Sequence, residues 1–144
     1  MRKALYIGIS FLFTVSVCFC VDVNAQTTWY VPADFPTIQA AVNGATAGDT
    51  IIVSSGTYVE NVVIDKPLVL QGYNSSGTPP TIIPALSAPN PCTGSSLCGG
   101  AASSIILVRA DNVVISHFNL DGDNPSLTSG ITRGGADLDA RNGI

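Results

Sequence analysis

Positive charge is scarce in this sequence. Its 144 residues carry six lysines and arginines against ten aspartates and glutamates, a net charge of −4. No basic patch or stripe exists, which argues against nucleic acid and an anionic membrane surface as partners. Polysaccharide stays open as a partner. Neutral glycans are bound by aromatic and amide groups, whereas acidic glycans need basic residues or a metal ion. Histidine is reduced to His117, too few for a zinc site built on imidazoles. Long apolar runs are also missing, except for one at the N-terminus.

That one run has the marks of an export signal. Met1-Arg2-Lys3 is a short positive region, Ala4 to Val21 is apolar, and Val23-Asn24-Ala25 offers small residues for a signal peptidase. Cleavage is expected before Gln26, so residues 1–25 are a signal peptide and the product is secreted or held in the cell envelope. The alternatives are a membrane anchor, for which the run is near the lower length limit, and a lipoprotein. Cys18 and Cys20 follow Val17 and Phe19, where a lipobox wants a small residue.

Removing the leader leaves Lys66, Arg109, Arg133 and Arg141 against nine acidic residues, a net charge of −5. It also leaves only Cys92 and Cys98, and an oxidising compartment favours a disulfide between them. No further apolar run is long enough to span a membrane. The segment from Ser75 to Gly100, rich in Ser, Pro, Gly and Ala, reads as an inserted loop at about 75–100.

What is present is a short helix signal followed by many short strands. After Pro36, Thr37 starts a segment in which Ile38, Ala41, Val42 and Ala45 share one helical face, with Gly44 and Gly48 limiting it. From Thr50 the chain breaks into apolar runs of about three to five residues, separated by turn residues. They are 51–53, 62–64, 68–70, 82–83, 105–108, 113–115 and 118–120.

The runs repeat. Asn61-Val62-Val63-Ile64 recurs as Asn112-Val113-Val114-Ile115, 51 residues later, and Gly72 recurs as Gly122, 50 later. Thr50-Ile51-Ile52, Thr81-Ile82-Ile83 and Ser104-Ile105-Ile106 form a second series. A solenoid rung of three short strands takes roughly 20–25 residues, so the first spacing fits two rungs plus an insertion. Such strands become stable only when stacked on equivalents. Asn61, Asn112, Gly72 and Gly122 suit left-handed corner conformations. The open end of a stack needs a cover, and the Thr37–Ala45 segment stands where one belongs. The expected fold class is therefore an all-β solenoid, a right-handed single-stranded parallel β-helix with a short N-terminal capping α-helix. An ordinary β-sandwich is the alternative, with longer and more cleanly alternating strands.

Four stretches carry a resemblance. They are Asp34-Phe35-Pro36-Thr37-Ile38-Gln39-Ala40-Ala41-Val42, Ala47-Gly48-Asp49-Thr50-Ile51-Ile52-Val53, Gly56-Thr57-Tyr58-Val59-Glu60-Asn61-Val62-Val63-Ile64 and Lys66-Pro67-Leu68-Val69-Leu70-Gln71-Gly72. Together they resemble the opening of pectin-lyase-like right-handed β-helix proteins, which include pectin methylesterases, copper-site maturation proteins of the NosD type and many exported β-helices. The resemblance implies the cap and first rungs, not a cleft. The Asp-Phe-Ile-Phe-Gly stretch that carries one esterase carboxylate is absent, and Gln39 and Gln71 receive no catalytic role. The chain ends at Asn142-Gly143-Ile144, which reads like a strand about to begin, so either a continuing protein or a truncated gene product without activity of its own is expected.

Candidate chemistry is thin. Asp121, Asp123 and Asn124 could turn oxygens toward one Ca²⁺, or form a solvated turn between rungs. No other cofactor is called for. Asp137, Asp139 and Arg141 would share one side of a strand and could bind glycan or do acid–base work, or form a self-paired surface row. His117 reads as a surface or edge residue, with a catalytic base as the alternative. Trp29, Tyr30 and Tyr58 could stack on sugars or seal the cap. Asn74-Ser75-Ser76 is a sequon that matters only in a eukaryotic host. The expected function is that of an exported β-helix from a polysaccharide-binding or polysaccharide-processing family, this stretch itself inactive. If the whole protein is an enzyme, it is a carbohydrate esterase, lyase or hydrolase. A non-catalytic surface or adhesion β-helix is the alternative.

Overall fold

A computed structural model describes residues 25–73, 77–86, 104–128, 132–133, 136–137, 139–140 and 143–144. Residues 1–24, Asn74-Ser75-Ser76, Cys92, Cys98 and Arg141 lie outside the described residues. Among those described, no helix is long and apolar enough to cross a membrane.

The fold is all-β and mostly parallel, with one short helix. Strand β1 (Thr28–Val31) precedes helix α1 (Ile38–Gly44). Eight strands follow: β2 (Thr50–Val53), β3 (Thr57–Val59), β4 (Val62–Ile64), β5 (Val69–Gly72), β6 (Thr81–Ile83), β7 (Ile106–Val108), β8 (Val114–Ser116) and β9 (Asn119–Leu120). Two-residue strands β10 (Thr132–Arg133) and β11 (Ala136–Asp137) pair antiparallel.

The parallel strands form three sheets, β1-β2-β5-β8, β3-β6-β9 and β4-β7. From β2 to β9 the chain visits these sheets in strict rotation. Each strand lies residue for residue beside the one laid down a circuit earlier, as Ile51 beside Leu70 and Tyr58 beside Ile82. The side-chain period of two then sorts the residues. Ile51, Leu70, Ile82, Val62, Ile64 and Ile106 are fully buried and form one core with Ile38, Ala41 and Val42 of α1.

This register corrects both sequence repeats. Val62–Ile64 pairs with Ile106–Val108, whereas the second Asn-Val-Val-Ile copy supplies β8, which pairs with Val69–Gln71 in another sheet. The series Thr50, Thr81 and Ser104 likewise lands in or beside three different sheets. The physical reason is that a three-residue β-branched run fits the core side of any of these sheets. Sequence likeness between runs therefore does not determine which one stacks on which. The inserted loop is also shorter at its start than expected, because β6 at Thr81–Ile83 falls within 75–100 and pairs with β3.

Corners are held by specific residues. Asn112 (φ 56°) adopts the left-handed conformation expected of it, and His117 (φ 62°), for which none was expected, adopts it too. Asn61 acts differently, through its side chain. Its Oδ1 accepts the Ala85 and Leu86 N–H groups, both at 3.0 Å, and its Nδ2 donates to Ser104 O at 3.0 Å. One amide thus ties together both ends of the β6–β7 excursion.

The helix is where the capping segment was expected, and the contacts explain how it covers the stack. Thr37 is the N-cap, its Oγ1 accepting from Ala40 N–H at 3.1 Å. The Glu60 carboxylate accepts the next two free donors, Ile38 and Gln39 N–H, at 2.9 Å each. Lys66 Nζ donates to Val42 O (3.0 Å) and Ala45 O (3.1 Å) at the opposite end. A seven-residue helix would be unstable alone; here both ends are tied to the first circuit.

Gln39 covers a sheet edge in place of a strand. Its Oε1 accepts Val63 N–H at 2.7 Å and its Nε2 donates to Val63 O at 3.1 Å. Both free groups of β4 on the side away from β7 are thereby satisfied. Replacing Gln39 by leucine is expected to remove about 1–2 kcal/mol of stability. Urea unfolding reads the loss, and hydrogen exchange should show the Val63 amide losing protection first. Unchanged protection there would mean that the edge is covered by something other than Gln39.

Candidate functional site

Several of the residues singled out for chemistry make hydrogen bonds within the fold. Asp121 is exposed and its Oδ1 accepts Asp123 N–H at 3.1 Å, the geometry of a local Asx turn. Asn124 is buried and its side chain is committed: Nδ2 donates to Pro84 O at 2.7 Å and Oδ1 accepts Ser126 N–H at 3.0 Å. Its backbone N–H donates to Asp139 Oδ2 at 2.9 Å. Among the described residues, no three His, Cys, Asp or Glu side chains gather as a metal cluster.

Asp137 ends β11, while Asp139 lies beyond the strand and is 2% exposed. The Asp139 carboxylate is therefore not an exposed outward group, and Arg141 lies outside the described residues. Asp139 serves the turn at Asn124 instead. His117 is exposed at the corner between β8 and β9, with its carbonyl oxygen turned toward Gly72.

The three aromatic candidates divide. Trp29 faces the core, its Nε1 donating to Asp49 Oδ2 at 3.0 Å and its ring edge-on to Phe35 at 5.3 Å. Tyr58 is half-buried and its hydroxyl donates to Ser54 O at 3.0 Å. Burial raises its pKa, and the negative charge of Glu60 raises it further. These two seal the structure. Tyr30 does not, being 47% exposed.

Tyr30 belongs to the outer face of the β1-β2-β5-β8 sheet. Its row across the strands is Tyr30, Ile52, Gln71 and Ser116. The neighbouring outward row is Thr28, Thr50, Val69 and Val114. One step beyond β5, Tyr73 continues the alternation on the same side and is 53% exposed; its N–H donates to Val53 O at 2.6 Å. None of these nine side chains is charged. The nearest charge at the end of β1 is Asp34, whose Oδ2 accepts Tyr30 N–H at 2.8 Å. The face combines apolar, hydroxyl and amide groups in a shallow surface. It can stack and hydrogen-bond but contains no acid–base pair.

Tyr73 was not recognisable as part of this face from the resemblance or the repeats. The alternation from Leu70 through Gly72 carries the signal, because the residue after an inward glycine points outward. The chain matches no family model, no curated protein and no solved structure.

Proposed function

We propose that the chain is a capped stretch of an exported right-handed parallel β-helix that binds polysaccharide on an outer sheet face and performs no catalysis itself. The rotation of β2 to β9 through three parallel sheets supports the winding. Right-handedness follows from the rule that about 98% of crossovers between parallel strands of one sheet take that hand. The first-rung resemblance in residues 34–72 points the same way, and the leader-like Met1 to Ala25 supports export.

The observation that carries the functional reading is the uncharged outer face with its two exposed tyrosines. Large exposed side chains clustered on one face are the informative departure from an ordinary surface. Catalysis on glycans would require paired carboxylates or a carboxylate with a base; among the described carboxylates the buried Asp49 and Asp139 and the cap residue Glu60 accept from backbone donors, and none lies in the two outward rows of this face.

Expression of residues 1–144 with their own leader tests this reading. The exported product should begin at Gln26 by mass spectrometry. It should be retarded in gels containing at least one polysaccharide, and should release no sugar from any of them. Product release would overturn the non-catalytic reading, and absence of retardation throughout a broad panel would overturn the binding one.

A further inference from the structure

We infer that the occupant of this face is an uncharged, extended glycan chain lying across the strands, with Tyr30 and Tyr73 as its stacking platforms. The inference rests on the polysaccharide reading above and gives it a chemical class, a direction and residues.

Charge selects the class. The mature chain is acidic, and the face offers a polyanion no counter-charge. Among the described side chains the cations are Lys66 and Arg109. Lys66 is engaged with the carbonyls ending α1, and Arg109 follows β7 in a different sheet. Asp34 at the rim would repel an acidic polymer further.

Polarity excludes a purely apolar occupant. Thr50, Gln71 and Ser116 lie among Tyr30, Ile52 and Tyr73, so an apolar protein surface would strand hydroxyl and amide groups without partners. A sugar chain satisfies both kinds of group. The C–H face of each ring lies on an aromatic or aliphatic surface, and its hydroxyls reach the amide and hydroxyls beside it.

Geometry gives the direction. Tyr30 and Gln71 sit two strands apart in register, roughly 10 Å across the sheet at ordinary strand spacing. Tyr73 lies two residues further along, roughly 7 Å. A line joining the tyrosines crosses β2 diagonally, and its length is comparable to the repeat of a disaccharide in an extended chain. Two platforms so spaced would hold alternate sugars, with Gln71 between them.

The test compares three proteins by affinity electrophoresis and sedimentation: wild type, Tyr30→Phe/Tyr73→Phe and Tyr30→Thr/Tyr73→Thr. Threonine keeps strand propensity, so melting curves should coincide and folding is controlled. The probes are hydroxyethylcellulose, galactomannan, xyloglucan and, as the acidic polymer, polygalacturonate. Wild type and the phenylalanine variant should bind at least one uncharged polymer, and the threonine variant should bind it about tenfold or more weakly. Equal binding by the threonine variant would overturn the inference, as would salt-sensitive preference for polygalacturonate or a tyrosine-dependent dimer of the chain. The broader polysaccharide reading survives the first two of those results. Failure of wild type to bind any of the polymers would overturn both.

Discussion

Alanine in place of Gly72 is expected to cost about 3 kcal/mol or more, seen as a fall in Tm of about 10–20 °C. Gly72 ends β5 in the inward row Val31, Val53, Gly72. Its backbone is not left-handed, so the cost comes from space alone. A Cβ placed there would overlap the carbonyl oxygen of His117 and sit 2.8 Å from both Cγ and Cδ of Pro80. Neither neighbour can yield easily. The His117 carbonyl belongs to the corner between β8 and β9, and Pro80 leads directly into β6. Relief would have to shift two corners of the stack. Gly77 is the natural comparison. It has φ +86° but nothing within 4 Å of an added Cβ, so its replacement by alanine should cost only the backbone term, about 1–2 kcal/mol. Thermal melts of the two variants separate the effects. If Gly72→Ala melts no lower than Gly77→Ala, the corner at His117 is free to move aside.

That corner also shows where sequence patterns carry information and where they stop. The short strands are readable, because β-branched runs bounded by turn residues give a period of two. The helix from Ile38 to Gly44 is readable from its single apolar face. Asn112 has the left-handed backbone expected of a corner asparagine. The stacking register is not readable, because the runs are interchangeable in volume and shape. Corner lengths and contacts such as Asn61 to Ser104 determine it, and those connect residues far apart in sequence. The candidate carboxylates were grouped by proximity along the chain. In space, Asp121 closes its own turn and Asp139, 15 positions on, accepts from Asn124 N–H, a contact that proximity along the chain does not reveal. The residues that organise the cap, Gln39, Asp49 and Glu60, act on partners some 20 positions away. Apart from Asp49's bonds to Thr46, three positions before it, no local pattern reveals these contacts.

Asp49 provides the second large effect. Its carboxylate is 2% exposed yet accepts four hydrogen bonds. Thr27 N–H reaches Oδ1 at 2.9 Å, while Trp29 Nε1–H, Thr46 N–H and the Thr46 hydroxyl reach Oδ2 at 3.0, 2.9 and 3.0 Å. One side chain thus joins β1, the helix exit and the start of β2. The Thr27 N–H is the largest influence on its pKa. Burial opposes it, but the remaining donors join it, and the pKa falls from 3.8 to about 2. The folded value lies below the unfolded one. The associated stability is therefore complete above about pH 4 and is lost as pH falls through about 2, an amount on the order of 2 kcal/mol. Asp49→Asn removes the charge and turns an amide donor toward other donors, so it should cost about 3 kcal/mol at neutral pH. The only tryptophan in the chain, Trp29, donates directly to this carboxylate, so its fluorescence reports on the site itself. Urea unfolding of wild type and Asp49→Asn, followed by that emission from pH 6 to pH 2, should show the gap between them narrowing below pH 4. Other titrating carboxylates affect both proteins and cancel in the difference. A gap that stays constant down to pH 2 would mean that the four donors do not stabilise the charge, and that Asp49 holds the cap only by its shape.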